Sequence, residues 1–163
     1  MTQCVLEIND RIAITDLLTA YSWAIDEGQA EALAELFLPE GQFIGSDGSA
    51  IRGRDALVAF ASRVHGAHPG RVRHVISNLV FVPEASDRVT VRSYVQVLLA
   101  ESTGPRLLAL GSYRDEVVQS DGDWLFASRS FVSWRGEAEP GDRGRPSPLS
   151  TPGTSSDARK ESV

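Results

Sequence analysis

The stretch GSYRDEVVQSDGDWLFASRSFVSW, residues 111–134, contains two runs rich in β-branched and aromatic residues. Between them lies Asp121-Gly122-Asp123, a combination typical of tight turns. Runs of this kind on both sides of a short turn predict two antiparallel strands joined as a hairpin. We therefore predict strands over residues 106–119 and 124–134.

Two similar runs precede this hairpin, and helical patterns precede all of the long strands. Ile14, Leu18 and Tyr21 fall at helical spacing and form one apolar stripe on the first helix. Helices that come early in a chain, with strands following later, are typical of the α+β class. The predicted helices span residues 9–27, 29–37 and 53–64, and the further predicted strands span 42–46, 72–82 and 88–101.

The composition changes after residue 136. Residues 140–156 contain four prolines and three glycines and only one large apolar residue. Such a segment buries too little apolar surface to offset the entropy lost on ordering. The total length of 163 residues favours a single domain. We therefore predict one folded domain over residues 1–136 and a disordered tail rich in Pro, Gly and Ser over 137–163.

Composition and charge exclude several classes of function. The net charge of −6 argues against binding nucleic acid, which requires clustered Lys and Arg. No apolar run is long enough to span a membrane, and Met1–Glu7 does not resemble a signal peptide. Cys4 is the only cysteine, which is consistent with a reducing cytoplasm. No dinucleotide or nucleotide motif occurs, so we expect no cofactor.

Three titratable residues, together with Asn78 as a donor to a developing oxyanion, are candidates for an acid–base site. Asp26 lies at the predicted end of the first helix, where the helix dipole disfavours an anion unless a cation is near. His74 lies in a predicted strand, and Asn78, four residues later, is expected on the same face of that strand. Tyr21 lies about 140° from Asp26 around an ideal helix, so periodicity does not place the two together.

Each of these residues also has an ordinary structural interpretation. Asp26 fits a solvated helix end, Tyr21 a core tyrosine, and His74 a buried neutral histidine. Asn78 fits a polar side chain that satisfies a strand end. Three arginines could clamp a substrate carboxylate but also fit a charged surface: Arg73, Arg129 and Arg135.

A metal site is not expected. His65 and His68 are spaced like a ligand pair, but they fall in a predicted loop with no third ligand nearby in the sequence.

Four segments resemble one family in their order and spacing. They are INDRIAITDLLTAYSWAIDEGQAEALAELFLPEGQF, IRGRDAL, RHVISNLVF and the hairpin quoted above, and together they span about residues 8–134. This pattern resembles the SnoaL-like branch of the nuclear-transport-factor-2-like superfamily. The resemblance implies an α+β cone, in which a curved antiparallel sheet carries three helices packed over its concave face. An apolar pocket is expected between helices and sheet.

The resemblance is strongest to the dehydratases of this branch, which include scytalone-dehydratase-like and bile-acid-dehydratase-like lyases. Tyr21, Asp26 and His74 occupy positions that match their catalytic residues. Scytalone dehydratase has a second pocket histidine on a later strand, and no histidine follows position 74 here. Tyr94 or Gln96 is the expected replacement in that space, and Asn78 is a further expected contact to the substrate.

Two functions follow from this resemblance. The first is a cofactor-independent dehydratase, isomerase or polyketide cyclase that acts next to a carbonyl of a hydrophobic, polyketide- or steroid-like molecule. The second is a non-catalytic binding or assembly subunit, such as the small subunit of a ring-hydroxylating oxygenase. Residues 107–110 are apolar on both faces of their predicted strand, so the outer face needs a cover. We expect a homodimer for the enzyme, whereas the second function would instead be indicated by a stable complex with an unrelated large subunit.

Overall fold

The computed structural model describes residues 5–134, and the predicted tail at 137–163 therefore lies outside the described residues, as do Cys4 and Arg135. Three helices come first and long strands follow, as the α+β prediction requires. The helices are α1 (Ile8–Asp26), α2 (Ala30–Glu35) and α3 (Arg54–Ala67); the strands are β1 (Phe37–Ile44), β2 (Ala50–Arg52), β3 (Val72–Ala85), β4 (Arg88–Glu101), β5 (Gly104–Ser120) and β6 (Asp123–Ser133).

The six strands form one curved, unclosed sheet in the order β2-β1-β6-β5-β4-β3. The four long strands are antiparallel neighbours, as expected for a meander. The sheet as a whole is mixed, because β1 pairs in parallel with β6. Strand β3 lies at one edge of the sheet, and α1 packs beside it.

The predicted hairpin of β5 and β6 forms with a two-residue turn. Ser120 and Asp123 are paired, and Asp121 and Gly122 both have positive φ angles of 52° and 94°. This geometry matches the right-handed twist of the two strands, which is why Asp-Gly is favoured there.

Helix α1 begins within one residue of the predicted start, and its first turn is held by a tertiary contact rather than by a capping side chain. Glu7 is the N-cap residue and its side chain makes no capping hydrogen bond. Asp10 instead accepts a hydrogen bond from Trp124 Nε1 at 3.0 Å, which links the first turn of α1 to β6. The Asp10 carboxylate therefore makes a tertiary contact and does not cap the helix, although aspartate is a preferred capping residue.

The core lies between the concave face of the sheet and the three helices. Apolar side chains from α1, α2, α3 and the sheet form one buried cluster. Tyr21 is completely buried within it and packs edge-on against Phe37, Tyr113 and Phe126. No helix within residues 5–134 is both long and apolar enough to cross a membrane.

Two local predictions are corrected. The strand predicted over 42–46 begins earlier, at Phe37, so that residues 39–41 lie inside β1, where a register shift between Phe37 and Gln42 accommodates Pro39. Helix α3 extends to Ala67, three residues beyond the prediction, and His65 therefore lies on a helix rather than in a loop.

Candidate active site

The side chains of Asp26 and His74 are directly hydrogen-bonded. His74 Nδ1 lies 2.6 Å from Asp26 Oδ1, and the backbone N–H of His74 donates to Asp26 Oδ2 at 2.8 Å. Both carboxylate oxygens therefore bind the same residue. The side chains are only 6% and 8% exposed for Asp26 and His74, respectively. The carboxylate fixes the ring orientation and directs Nδ1 toward itself, which leaves Nε2 for other chemistry.

This pair joins the end of a helix to the free edge of the sheet. Asp26 is the last residue of α1, and His74 lies near the start of β3, which has a strand neighbour on one side only. The backbone N–H of His74 points away from β4, so the edge offers it no strand partner. The Asp26 carboxylate accepts this hydrogen bond instead, and it thereby fixes the end of α1 against the edge strand β3.

A third residue, His65, holds the helix end from the other side. Its Nδ1 donates to the main-chain oxygen of Asp26 at 3.2 Å. The ring also packs on Gly28, where an added Cβ would lie 2.7 Å from His65 Cδ2 and where φ is +72°. Only glycine suits this position. His65 therefore caps the C-terminal end of α1.

An open cleft of about 340 Å³ borders His74. It runs between α1 and β3, and its walls combine apolar side chains with three hydroxyl groups of α1. Trp23 stands at its side with 62% of its surface exposed. The lining residues are Thr15, Leu18, Thr19, Ser22, Trp23, His74, Val75, Ile76 and Leu79.

Tyr21 faces the interior of the cone rather than this cleft. The guanidinium carbon of Arg129 lies 4.1 Å from the centre of its ring, and its hydroxyl has no hydrogen-bond partner within the described part of the chain. Tyr21 and Asp26 thus point in different directions from α1, as the angle of about 140° indicates. Although the resemblance implies a catalytic role for Tyr21, its side chain lies in the core and not in the cleft beside Asp26 and His74.

Arg129 does not act as a surface charge. It donates through Nε and Nη2 to Asp115, both at 2.8 Å, and both side chains are fully buried. Its guanidinium also stacks on Tyr113 and Phe126, at 4.2 and 4.5 Å from the ring centres. Cross-strand register between β5 and β6 puts Asp115 opposite Arg129, a relation that sequence spacing does not reveal.

Burial controls the ionisation of the interior groups. It raises the pKa of Tyr113 to about 12, against the opposing effect of Arg129, and the charges of Asp115 and Asp26 raise it further. Burial and Tyr113 raise the pKa of Tyr21 well above its ordinary value, again opposed by Arg129. Burial also raises the pKa of Asp115, although the guanidinium opposes this shift. Both phenols are therefore neutral hydrogen-bond donors at pH 7.

Asn78 is not on the face expected for it. A bulge between Ser77 and Val80 breaks the alternation of β3, and Asn78 is exposed with a φ of +57°. The extra residue reverses which side chains face inward, so that His74 and Asn78 do not share a face.

Tyr94 and Gln96 are also placed away from the cleft. Both are exposed on the outer face of β4, whereas Ser93 and Val95 point inward. The ring of Tyr94 packs against Trp134 at a centroid distance of 4.9 Å. The prediction that one of them replaces a pocket histidine is therefore wrong within this chain, because strand alternation turns them outward.

Arg73 is exposed and pairs with Glu27 at 3.3 Å, so it is a surface charge next to the end of α1.

Comparison with known proteins identifies the family of this chain. A family model described as a SnoaL-like domain matches residues 6–130. This chain belongs to the SnoaL-like family. A comparison with proteins of curated function found no match.

Solved structures give the same SnoaL-like fold. A variant of Rv3472 from Mycobacterium tuberculosis, a protein of unknown function, is 32% identical, with 78% of this chain and 73% of that chain covered and a TM-score of 0.72. A protein from Novosphingobium aromaticivorans, provisionally assigned as a scytalone dehydratase, is 25% identical over 78% and 86% of the two chains, with a TM-score of 0.69. A protein from Catenulispora acidiphila in complex with S-DNPA is 26% identical over 78% and 95%, with a TM-score of 0.68.

Sequence reasoning missed the role of His65 at this SnoaL-like site, although Gly28 next to the end of α1 is a signal of close packing. It also missed Asp115 as the partner of Arg129, because only strand register brings the two together.

Proposed function

We propose that this protein is a cofactor-independent dehydratase, isomerase or cyclase that acts next to the carbonyl of a hydrophobic small molecule. Dehydration is the outcome we favour. The observation that carries this proposal is the bidentate contact of Asp26 with the ring and backbone of His74. A carboxylate that orients an imidazole and stabilises its protonated form is the usual support of a general base.

In this proposal His74 Nε2 removes a proton from the carbon next to the substrate carbonyl. The C–H electron pair moves toward the carbonyl oxygen and forms an enolate, while His74 becomes an imidazolium paired with Asp26. The enolate then collapses and expels the hydroxyl group on the β carbon. The imidazolium donates its proton to that hydroxyl, which leaves as water, and an α,β-unsaturated carbonyl compound remains. Acid–base assistance of this kind contributes about 10²–10⁴-fold in rate.

The cleft beside His74 supports a hydrophobic substrate. Its apolar walls and the broad surface of Trp23 suit a flat, ring-containing molecule, and the α1 hydroxyls suit a few polar substituents. The relative from Catenulispora acidiphila forms a complex with S-DNPA. These features support a polyketide- or steroid-like substrate class.

The test is an assay with ring-containing β-hydroxyketones, in which the absorbance of the conjugated product is followed. We expect the wild type to form product and both Asp26→Asn and His74→Ala to lose about 10²–10⁴-fold in kcat. His68→Ala is the matched control, because His68 lies outside the pair, and its activity should equal that of the wild type. Equal activity of His74→Ala and wild type per folded molecule would remove the catalytic assignment.

The alternative of a non-catalytic assembly subunit predicts that Asp26 and His74 are unpaired or solvated. Their mutual hydrogen bonds and low exposure support the enzyme instead.

We also propose that the protein is a homodimer that pairs through the outer face of its sheet. Val75, Tyr94, Leu110, Val132 and Trp134 are exposed there. Register places Tyr94, Ser112 and Val132 in one row, and Leu110 lies in the adjacent row. A continuous exposed apolar surface of this kind is typical of a protein–protein interface.

Light scattering tests the dimer directly. We expect a mass of two chains for the wild type and one chain for Leu110→Arg, while Arg106→Glu, a change in charge elsewhere on β5, should leave the dimer intact. A monomeric wild type at micromolar concentration would exclude this interface.

A further inference from the structure

The backbone of β3 alternates between two directions next to His74. In an antiparallel pair, every second residue directs its N–H and its C=O toward the neighbouring strand, and the residues between them direct both groups away from it. The N–H of Ala100 donates to the carbonyl of Arg71 at 2.8 Å, so Arg71 faces β4. The register of β3 with β4 continues without a shift as far as Ser77. The even-numbered residues over 72–76 therefore direct their N–H and C=O groups away from β4.

The contact between Asp26 and His74 is an independent sign of the same alternation. The N–H of His74 donates to Asp26 Oδ2 at 2.8 Å and not to β4. Ile76 lies two residues further along β3 and directs its N–H to the same side. Strand β3 is the last strand of the sheet here, so the sheet gives this N–H no partner. No hydrogen bond joins it to another element within residues 5–134.

The side of β3 to which this N–H points is the side of the cleft. The cleft of about 340 Å³ runs between α1 and β3, and both His74 and Ile76 line it. Ile76 is partly exposed. Successive residues on one side of a strand are roughly 6.5–7 Å apart. A carbonyl group and its α carbon bridge such a distance, so one small molecule in the cleft can reach the Ile76 N–H and the His74 ring together.

The hydroxyl groups of α1 in the cleft already donate their protons within the helix. Thr15 Oγ1 donates to the carbonyl of Arg11 at 2.8 Å, and Thr19 Oγ1 donates to that of Thr15 at 2.9 Å. Ser22 Oγ donates to the carbonyl of Leu18 at 3.4 Å. Each hydroxyl has a single proton, so these three groups offer acceptor lone pairs to a bound molecule. A substrate oxygen that gains negative charge needs a donor instead.

We propose that the backbone N–H of Ile76 binds the carbonyl oxygen of the substrate and stabilises the enolate formed from it. When His74 Nε2 takes the proton from the α carbon, the C–H electron pair moves to this oxygen, and the amide keeps its own proton. A donor that the strand fixes before the reaction is effective because it needs no reorganisation. This inference rests on the proposed function and gives Ile76 the oxyanion role that the sequence suggested for Asn78.

The first test measures binding of 4-nitrophenol, whose phenolate oxygen resembles an enolate oxygen. The protein is titrated with the phenolate, and NMR spectra that resolve each backbone amide are recorded. We expect the amide proton of Ile76 to show the largest shift toward lower field. The amides of Val75 and Ser77, which face β4, should shift less. No binding to the wild type, or the largest shift at the indole N–H of Trp23, would overturn the proposal.

The second test removes the donor. Ile76→Pro lacks the N–H, whereas Ile76→Ala shortens the side chain and keeps the N–H, so the alanine variant is the matched control. Pro83 already lies in the same edge strand, where a proline is tolerated. We expect Ile76→Pro to bind 4-nitrophenol about 10-fold more weakly than Ile76→Ala. In the β-hydroxyketone assay, its kcat should be lower by about 10²–10³-fold. Equal affinities in the two variants would contradict the proposal.

A second form of the protein decides the question if circular dichroism shows that Ile76→Pro is unfolded. In this form an ester replaces the amide of Ile76, which removes the N–H and keeps the side chain. It should show the same loss of affinity as expected for Ile76→Pro. An ester at Val75 is its control, because that N–H faces β4. The control should lower the Tm but leave the affinity of the folded protein unchanged. Equal affinities of the two esters would overturn the proposal.

The failure of this inference can be told apart from the failure of the proposed function. If 4-nitrophenol binding depends on the Ile76 N–H but no β-hydroxyketone is converted, the proposed function fails and the donor site stands. If conversion depends on His74 but is equal in Ile76→Pro and Ile76→Ala, the donor site fails alone.

Discussion

Two buried carboxylates in this molecule each pair with a basic side chain, and their surroundings differ. Asp115 and Arg129, which we call the core pair, join two neighbouring strands in the interior, with no exposed surface. Asp26 and His74, which we call the edge pair, join the end of a helix to an edge strand beside an open cleft. Both pairs are bidentate, with every hydrogen bond between 2.6 and 2.8 Å.

The difference teaches what each pair can do. Arginine keeps its charge at any ordinary pH, so the core pair cannot exchange a proton and serves to fill and polarise the interior. Histidine is the side chain best suited to accept and release a proton near neutral pH. In the proposed function, a substrate in the adjacent cleft exchanges that proton with His74. The contrast can be tested by breaking each pair in turn.

The largest effect is expected from Arg129→Met. The methionine fills similar space but leaves the Asp115 carboxylate buried without its cation, which should lower the free energy of unfolding by about 3–5 kcal/mol. Urea denaturation followed by tryptophan fluorescence measures this loss. The double variant Arg129→Met with Asp115→Leu should recover part of the lost free energy of unfolding. If Arg129→Met alone is as stable as the wild type, the core pair does not stabilise the fold.

The second effect concerns Asp26→Asn at the edge pair. Asparagine keeps the shape of the side chain and loses its charge, so the proposed activity should fall by about 10²–10⁴-fold. The free energy of unfolding should change much less than in Arg129→Met, because asparagine is neutral and can still accept the backbone hydrogen bond of His74, so no buried charge is left unpaired. If Asp26→Asn and Arg129→Met lose equal free energy of unfolding, the edge pair contributes as much to stability as the core pair.

Alkaline pH should weaken the core through its tyrosines. The pKa of Tyr113 rises from 10.0 to about 12 on folding, so the folded state binds its proton more tightly than the unfolded state does. This stabilisation is fully present below about pH 10 and is lost as pH rises through about 12, amounting to about 3 kcal/mol. Denaturation curves between pH 9 and pH 12 measure the slope, and Tyr113→Phe should flatten it. An unchanged slope would show that Tyr113 does not contribute.

A smaller effect is expected from His65→Leu, which removes the donor to the Asp26 carbonyl but keeps an apolar side chain against Gly28. The Asp26 carboxylate should lose its fixed position, and kcat of the proposed reaction should fall roughly 10-fold. His65→Asn, which restores an N–H close to the position of Nδ1, should recover most of the rate. If Asn and Leu behave alike, the hydrogen bond from position 65 does not position Asp26.

The smallest effect is expected from Asp10→Ala, far from both pairs. It removes the partner of Trp124 Nε1 and should lower the free energy of unfolding by about 1 kcal/mol, with no change in activity. Thermal denaturation and the β-hydroxyketone assay check both parts. A loss of activity would indicate that the first turn of α1 influences the distant edge pair.

Local pattern alone was enough to predict much of the fold. The bounds of β4 agree fully with the prediction, and those of α1 and β6 agree within one residue at each end. These elements have long, regular patterns of apolar residues and clear turn signals, so neighbouring residues determine them. The family resemblance added the cone and the correct pairing of Asp26 with His74. The parallel pairing of β1 with β6 carried no local signal, since it joins strands far apart in the chain.

The sequence by itself determined which residues have acid–base chemistry and which elements carry them. Only the tertiary structure decided their surroundings. It placed Arg129 in the core with Asp115, moved Asn78 outward through a bulge, and turned Tyr94 and Gln96 to the outer face. It also brought His65 to the end of α1. The physical reason is that hydrogen bonds and burial depend on register and packing between distant segments, and a local pattern contains no information about that distance.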